Sequence, residues 1–202
     1  LKSQIRPHYL YNTLEVIRMS AVANDDDKVA VMIHALSDQL KYVIDYGEEW
    51  VCVERELDHL RNYFHLINVR FEGRIELKLE LPDESLLKAF VLKLTLQPLV
   101  ENAVQHAFRP RVKKGMILVT IERAGNADIA VTVYDNGSGL TPEEVERLNC
   151  RMEDDQGTTG KSIGLKNVHE RVRQACGEPY GILIESKPGI GTSVRILFPL
   201  RM

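Results

Sequence analysis

The chain has 202 residues, of which 44% are hydrophobic and 27% charged, a composition that excludes an intrinsically disordered protein. Its 26 Lys and Arg against 29 Asp and Glu give a formal net charge of −3, which argues against nucleic acid as a partner. Three scattered cysteines exclude a disulfide framework or a zinc cluster and favour a cytosolic setting with reduced thiols.

No segment of the sequence approaches the roughly 20 apolar residues of a membrane-spanning helix, and no signal peptide precedes the first polar segment. Because the chain starts at Leu1 rather than at a methionine, we expect it to be part of a longer protein. Any sensor or membrane part would then lie outside this chain.

The first third of the chain is predicted to be helical, because apolar residues recur there at helical spacing. The three stripes are Leu10, Leu14, Ile17, Ala21; then Val29, Ile33, Leu36, Leu40, Val43; then Leu57, Leu60, Phe64, Ile67, Phe71. An acidic turn at residues 24–27 predicts that the first two helices form an antiparallel hairpin. The second stripe is a heptad seam that a lone hairpin cannot bury, so we expect a homodimer with a four-helix bundle.

After residue 73 the pattern changes to alternating strands and helices. Strands are predicted at 75–81, 116–121, 129–134, 181–186 and 192–197. Helices are predicted from near Pro98, from Pro142 and over 163–175, and a loop over 149–162. The sequence therefore predicts an α+β fold with a helical region over 1–72 and an α+β domain over 73–202.

Polar side chains follow one face of the helix predicted near Pro98. Asn102 and His106 lie four residues apart on that face, so they project from the same side of the helix. Such oxygen and nitrogen groups could hold a hydrated Mg²⁺ and a phosphate chain. The alternative is an ordinary amphipathic helix with a solvated polar face.

Asp135 ends a predicted strand and shares its parity with Ile129, Val131 and Val133. The carboxylate is therefore expected to point inward, where it needs a partner. The turn that follows, at 136–139, contains two glycines and would let a flat ligand approach the backbone. The alternative is a simple turn in which Asp135 bonds its own backbone.

Residues 160–162, Gly-Lys-Ser, imitate the end of a P-loop at the start of a helix. The motif requires an earlier glycine at the position of Asp155 and a preceding strand. Neither is present in the sequence, so the P-loop interpretation is excluded.

In chain order, these segments resemble the conserved boxes of one ATPase fold. The segments ENAVQHA (101–107), DNGSGL (135–140), GKSIGL (160–165) and GTSV (191–194) resemble the N, G1, G2 and final glycine boxes of the GHKL ATPases. The segment QIRPHYLYNTL (4–14) resembles the phosphoacceptor segment of sensor histidine kinases of the autolysin-regulator (LytS/YesM-like) type. The resemblance implies a helical hairpin followed by a GHKL (Bergerat) α/β sandwich domain.

The resemblance also implies roles around the transferred phosphoryl group. His8 would be the phosphorylated histidine. Asn102 would bind Mg²⁺, and Glu101 and His106 would assist at the phosphates of ATP.

Other implied roles concern the base of the nucleotide and the phosphate end of the site. Asp135 would accept a hydrogen bond from the adenine amine. Gly137 and Gly139 would shape the wall of the site beside adenine, and Thr192 would close the adenine side. The residues assigned to the lid and phosphate end are Gly160, Gly164 and Leu165.

The implied reaction is ATP- and Mg²⁺-dependent autophosphorylation on His8, then phosphoryl transfer to an aspartate of a response regulator receiver domain. The resemblance also implies a cytoplasmic location for this part and a bacterial cell membrane for the full-length protein. Two alternatives are a GHKL module that binds nucleotide as a conformational switch and a scaffold that only dimerises. The His8 segment on a dimerising hairpin argues against the first, and the intact Asn102, Asp135 and glycine boxes argue against the second.

The helix around His8 has further features of interest. His8 lies two residues, or about 200°, from the Leu10 stripe and is expected to be exposed. Asn12, one turn further on, could hold a water near a phosphoryl group on a docked regulator, or it could merely solvate the exposed face. The sequence departs from the family with Arg6 in place of the usual Asn and with Tyr9 where many histidine kinases have an acid, so the residue that activates His8 stays open.

Overall fold

The computed structural model of the chain describes residues 7–44, 47–108, 114–153 and 163–202. The α-helices are α1 (Pro7–Ala23), α2 (Asp27–Ile44), α3 (Val53–Arg70), α4 (Leu96–Ala107), α5 (Pro142–Glu153) and α6 (Ile163–Cys176). The strands are β1 (Trp50–Cys52), β2 (Ile75–Glu80), β3 (Phe90–Leu92), β4 (Gly115–Ala124), β5 (Asp128–Asp135), β6 (Gly181–Lys187) and β7 (Gly191–Pro199). A 3₁₀ helix covers Glu84–Lys88.

The helices α1 and α2 form the predicted hairpin. The carboxylate of Asp26 accepts a hydrogen bond from the Val29 N–H at 3.1 Å, so the acidic turn caps α2. The buried residues of α2 are small or polar: Ala30, Ala35, Ser37 and Gln39. The heptad seam is largely outside the chain's own core, because Val29, Leu36 and Val43 are 38%, 42% and 46% exposed.

The second part of the chain is a five-stranded sheet covered by helices. Its strand order is β2-β4-β5-β7-β6, with β2 and β4 parallel and the other neighbours antiparallel. Helices α4 and α6 pack against the sheet, and one apolar core joins helix residues such as Leu99 and Val172 to strand residues such as Ile121, Ile129 and Phe198. The predicted α+β fold is confirmed.

Helix α3 also contributes to this core. Its apolar face, including Leu57, Leu60 and Phe64, is buried together with residues of the sheet. The boundary between 1–72 and 73–202 stays a prediction. Among the described residues, no helix combines the length and the apolar character needed to span a bilayer.

Two short strands and the 3₁₀ helix were not predicted from the sequence. Strands β1 and β3 pair antiparallel, with Val51 opposite Val91, although each has only three residues. Helix α4 begins at Leu96, two residues before the predicted start near Pro98.

The loop predicted over 149–162 is wrong for residues 149–153, which complete α5. The side chain of Asn149 donates to the Ile184 carbonyl at 2.9 Å and accepts from its N–H at 3.0 Å. These two bonds fix the last turns of α5 to strand β6. The remainder of that predicted loop, residues 154–162, lies outside the described residues.

Candidate functional site

A cavity of about 410 Å³ lies among α4, α5, α6 and the strands β5, β6 and β7. Its wall brings together six of the predicted site residues, which are far apart in the sequence. They are Asn102, His106, Asp135, Gly139, Leu165 and Thr192. Helix α4 supplies the first two, the end of β5 supplies the third, and the start of β7 supplies the last.

Asp135 is the buried acid of this cavity, with 4% of its surface exposed. The Gly137 N–H donates to its Oδ1 at 2.9 Å, and the Thr192 N–H also bonds the carboxylate. Burial raises the pKa of Asp135, and these two backbone donors lower it in part. The turn expected in the alternative interpretation is therefore present, and the same carboxylate still faces the cavity.

Two glycines of the turn after β5 are required by close approach of other backbone. A Cβ on Gly137 would lie 2.5 Å from the Cβ of Ala107, so only glycine lets this turn pack on the end of α4. Gly139 has a φ of +65°, and a Cβ there would collide with the carbonyl oxygen of Lys187. The turn is thus fixed between α4 and the β6–β7 hairpin.

Thr192, which is paired with Asp135 across the neighbouring strands β5 and β7, belongs to a small hydroxyl network. Its Oγ1 lies 2.9 Å from Ser186 Oγ. Ser186 accepts from the Leu140 N–H at 2.9 Å and donates to the Gly191 carbonyl at 2.7 Å. The network ties the strand ends of β6 and β7 to the turn that carries Gly139.

Apolar side chains complete the part of the cavity around Asp135. They are Leu140, Leu148, Leu165, Ile184 and Val194. An apolar pocket with a few convergent polar groups is the usual form of a small-molecule site. A buried carboxylate in such a pocket suits a flat ring that carries an amine.

The polar part of the cavity wall is formed by helices α4 and α5. Asn102 and His106 come from α4, while Arg147 and Arg151 lie one turn apart on α5. The described residues contain no group of three or more His, Cys, Asp or Glu side chains arranged for a metal ion. The Asn102 amide oxygen is nevertheless a hard ligand of the kind that Mg²⁺ accepts together with substrate phosphates.

Of the described residues predicted for the ATP site, three do not line this cavity. Glu101 is half-buried on α4, and its carboxylate adds to the rise in the pKa of Tyr63, whose larger cause is burial. Gly137 packs against Ala107 at the end of α4. Gly164 is exposed in the first turn of α6. A Cβ on Gly164 would lie 4.0 Å from the Cβ of Pro98. Gly160 lies outside the described residues.

His8 is exposed in the first turn of α1, as predicted. The amide nitrogen of Asn12 lies 3.3 Å from its Nδ1 and 3.4 Å from its Nε2, so these two side chains are in contact. Two other histidines have packing roles. His59 stacks on Tyr42 with ring centroids 4.1 Å apart, and His169 accepts from the Ile182 N–H.

Sequence reasoning missed the contribution of α5 to the cavity. Glu144, Arg147, Leu148 and Arg151 all line it. Their spacing of three, four and seven residues places them on one helical face. That spacing was visible in the sequence, but nothing local indicated that this face would turn toward Asp135.

Comparisons with known proteins indicate the family to which this chain is related. Residues 1–75 match the family model described as histidine kinase, and residues 89–202 match the one described as histidine kinase-, DNA gyrase B- and HSP90-like ATPase. The chain is 36% identical to the sensor histidine kinase YesM of Bacillus subtilis over 201 residues. It is 29% identical to the sensor protein LytS of Oceanobacillus iheyensis over 202 residues.

These alignments cover the whole of this chain, which spans 33% of YesM and 34% of LytS. Among solved structures, the catalytic domain of the histidine kinase ThkA matches with a TM-score of 0.55 at 18% identity, covering 74% of this chain and 94% of that one. A histidine kinase domain of Erythrobacter litoralis matches with a TM-score of 0.53 at 17% identity and 96% coverage of both chains. The chain therefore belongs to the histidine kinases, within the family of histidine kinase-, DNA gyrase B- and HSP90-like ATPases.

Proposed function

We propose that this chain is the kinase part of a two-component sensor histidine kinase, which phosphorylates His8 from ATP and passes the phosphoryl group to a response regulator. The observation that carries the proposal is the cavity that pairs a buried carboxylate in an apolar wall with Asn102, His106, Arg147 and Arg151. It combines a base-binding end with groups that suit phosphates.

The proposed binding mode assigns each wall of the cavity to part of ATP. Asp135 accepts from the exocyclic amine of adenine, and the apolar residues around it cover the ring. Asn102 would hold Mg²⁺, which neutralises charge on the phosphates when bound. His106, Arg147 and Arg151 would add hydrogen bonds and positive charge there.

The proposed chemical step requires a neutral imidazole at His8. Its unprotonated ring nitrogen forms a bond to the γ-phosphorus while the bond to the β–γ bridging oxygen breaks. ADP leaves with that electron pair, and the other ring N–H releases its proton. The product is a phosphohistidine, which suits transfer to an aspartate carboxylate of a receiver domain. Among the structural neighbours, ThkA has been solved in complex with the response regulator protein TrrA.

The proposal also includes a homodimer and a longer parent protein. The exposed Leu36 and Val43 of α2, together with Ile17 of α1, would be covered by a second hairpin in a four-helix bundle. A sensor part outside this chain would anchor the parent protein in the bacterial membrane, with the kinase part on the cytoplasmic side where ATP is available.

The test is incubation of the chain with γ-labelled ATP and Mg²⁺. We expect label on the protein that is lost in acid and retained in base, because a phosphohistidine has that stability. His8→Asn should lose the label entirely while ATP binding by calorimetry stays the same. His65→Asn is the matched control, since His65 is also an exposed helical histidine, and it should keep the label.

Two outcomes would contradict the proposal in different ways. ATP binding without any labelled histidine would favour a nucleotide-dependent conformational switch. Absence of ATP binding in the folded chain would favour a dimerising scaffold.

A further inference from the structure

Glu56 of α3 is fully buried, although it has no place in the proposed reaction. Its Oε1 accepts from the Tyr42 hydroxyl at 2.5 Å and from the Leu94 N–H at 2.7 Å. Its Oε2 accepts from the N–H groups of Thr95 and Leu96 at 3.0 and 3.1 Å. Both oxygens of this carboxylate therefore have two hydrogen-bond donors each.

Three of these four donors belong to the start of α4. The N-cap Thr95 makes no side-chain cap bond, because its hydroxyl donates to the Leu92 carbonyl instead. Glu56 takes over the cap from another helix, and its charge lies at the positive end of the α4 dipole. It also holds Leu94 at a φ of +59°, a conformation that non-glycine residues seldom adopt.

The fourth donor comes from the hairpin. Tyr42 lies on α2, and its ring stacks on His59 of α3, with Lys93 Nζ 4.8 Å from the ring centroid. The His59 ring in turn lies 2.7 Å from Gln97 Oε1 in the first turn of α4. The last turn of α2 is thus bonded, through Glu56 and His59, to the first turn of α4.

Helix α4 also carries Asn102 and His106 into the cavity. Asn102 follows Leu96 by six residues, or about 9 Å along a rigid helix axis. A change in how the N-terminus of α4 is held would therefore move the polar end of the cavity. Asp135 and Thr192 lie on the sheet and have no part in this connection.

We propose that Glu56 is a positioning residue for the phosphate end of the nucleotide site, and that Tyr42 couples it to helix α2 of the phosphoacceptor hairpin. This inference rests on the proposed function. It adds that the hairpin and the ATP site communicate through a buried carboxylate at the N-terminus of α4.

The experiment compares Mg²⁺–ATP with adenosine as ligands, by calorimetry, on the unaltered chain and three variants. Glu56→Gln keeps the shape of the side chain and removes its charge. It should weaken Mg²⁺–ATP binding by about tenfold, roughly 1.4 kcal/mol, and change adenosine binding by less than about twofold. Tyr42→Phe removes one of the four donors and should weaken Mg²⁺–ATP binding by about threefold.

Tyr180→Phe is the matched control, because Tyr180 also donates to a carboxylate, Asp128, at 3.0 Å. This variant should bind Mg²⁺–ATP and adenosine with unchanged affinity. A residue that merely stabilises the fold would affect both ligands alike, or neither, so the ratio of the two affinities separates the roles. Tyr42→Phe decides the question if Glu56→Gln does not fold.

An unchanged ratio in a folded Glu56→Gln chain, or in Tyr42→Phe where that variant decides, overturns this inference while the proposed function stands. Failure of the unaltered chain to bind ATP overturns the proposed function and this inference together. A loss of Mg²⁺–ATP affinity alone, with adenosine bound normally, is the result that supports it.

Discussion

The hairpin and the sheet domain differ in how far their apolar side chains are buried within the chain. In the sheet domain, Leu99, Ile129 and Phe198 are completely buried within the chain itself. In the hairpin, Val16 and Met19 of α1 remain 70% and 55% exposed. A sealed core can support a deep binding cavity, whereas the hairpin keeps apolar surface available for another molecule.

The key polar residues of the two regions differ in the same way. Asp135 is buried and fixed by backbone donors from Gly137 and Thr192. His8 is exposed, and its contact is with Asn12 on the same helix. A group that recognises one ligand benefits from a preformed environment. The role proposed for His8, as a phosphoacceptor that meets both ATP and a receiver domain, requires an exposed side chain.

The largest expected effect concerns the exposed seam of the hairpin. In Leu36→Asp/Val43→Asp, two charges would enter the proposed dimer interface, where each lost apolar side chain is worth about 1.5–3 kcal/mol. Dimer dissociation should become easier by at least about 100-fold. Sedimentation analysis should show dimers of the unaltered chain and monomers of the variant.

Leu183→Asp is the control for that experiment, because Leu183 is 50% exposed on strand β6, far from the hairpin in sequence. It should leave the mass unchanged. If the unaltered chain is monomeric at high micromolar concentration, that result would contradict the proposed covering of this seam by a second copy of the chain.

The next effect tests the buried carboxylate. Asp135→Asn replaces a charged acceptor with an amide, which should weaken ATP binding by about 1.5–3 kcal/mol, or about 10- to 150-fold. Asp128→Asn, at the other end of β5, should bind ATP normally. Calorimetry measures the ATP affinity of both folded variants. An unchanged ATP affinity in Asp135→Asn would show that Asp135 does not recognise adenine.

Periodicity predicted most of the fold because most elements bury one regular face. The inward parity of Asp135 with Val131 and Val133 followed from strand alternation alone, and all three are buried. The hairpin likewise followed from two helical stripes and an acidic cap.

The missed features depend on contacts between distant segments. Helix α4 starts before Pro98 because Glu56, some 40 positions earlier, bonds the Thr95 and Leu96 N–H groups. Helix α5 continues past 149 because Asn149 bonds the backbone of Ile184. Strands β1 and β3 are too short for alternation to reveal them. Nothing local in the sequence carries these three facts.

A smaller effect is expected for substitution of Asn12. It tests whether this exposed side chain of the hairpin has a chemical role or only solvates the helix surface. If its amide orients a water toward a phosphorylated regulator, Asn12→Ala should slow regulator dephosphorylation by about tenfold, roughly 1.4 kcal/mol of barrier. Autophosphorylation of His8 should stay within a few-fold. The measurement is the decay of phosphorylated regulator with ADP and either form of the chain; equal decay rates would leave Asn12 as a solvating residue.

The smallest effect is a pH dependence of stability without nucleotide. Burial raises the pKa of Asp135, so the folded chain holds this proton more tightly than the unfolded chain does. The free energy of unfolding should therefore fall as pH rises from the ordinary carboxyl range through the raised pKa. Asp83 has the opposite shift, because hydrogen bonds from Ser85 and then Arg123 lower its pKa.

Substitution of these two acids should therefore change the pH dependence of the free energy of unfolding in opposite directions. As pH rises from below the carboxyl range to neutrality, Asp135→Asn should gain stability relative to the unaltered chain, because the variant has no buried charge to form. Asp83→Asn should lose relative stability over the lower part of the same range, and only slightly, because Asp83 lies near the surface. Urea unfolding at a series of pH values measures both differences. Parallel trends in the two variants would mean that folding lowers the pKa of Asp135 as it lowers that of Asp83, so that hydrogen bonds outweigh burial at Asp135. The contrast between a sealed site and an open hairpin would then lose its electrostatic basis.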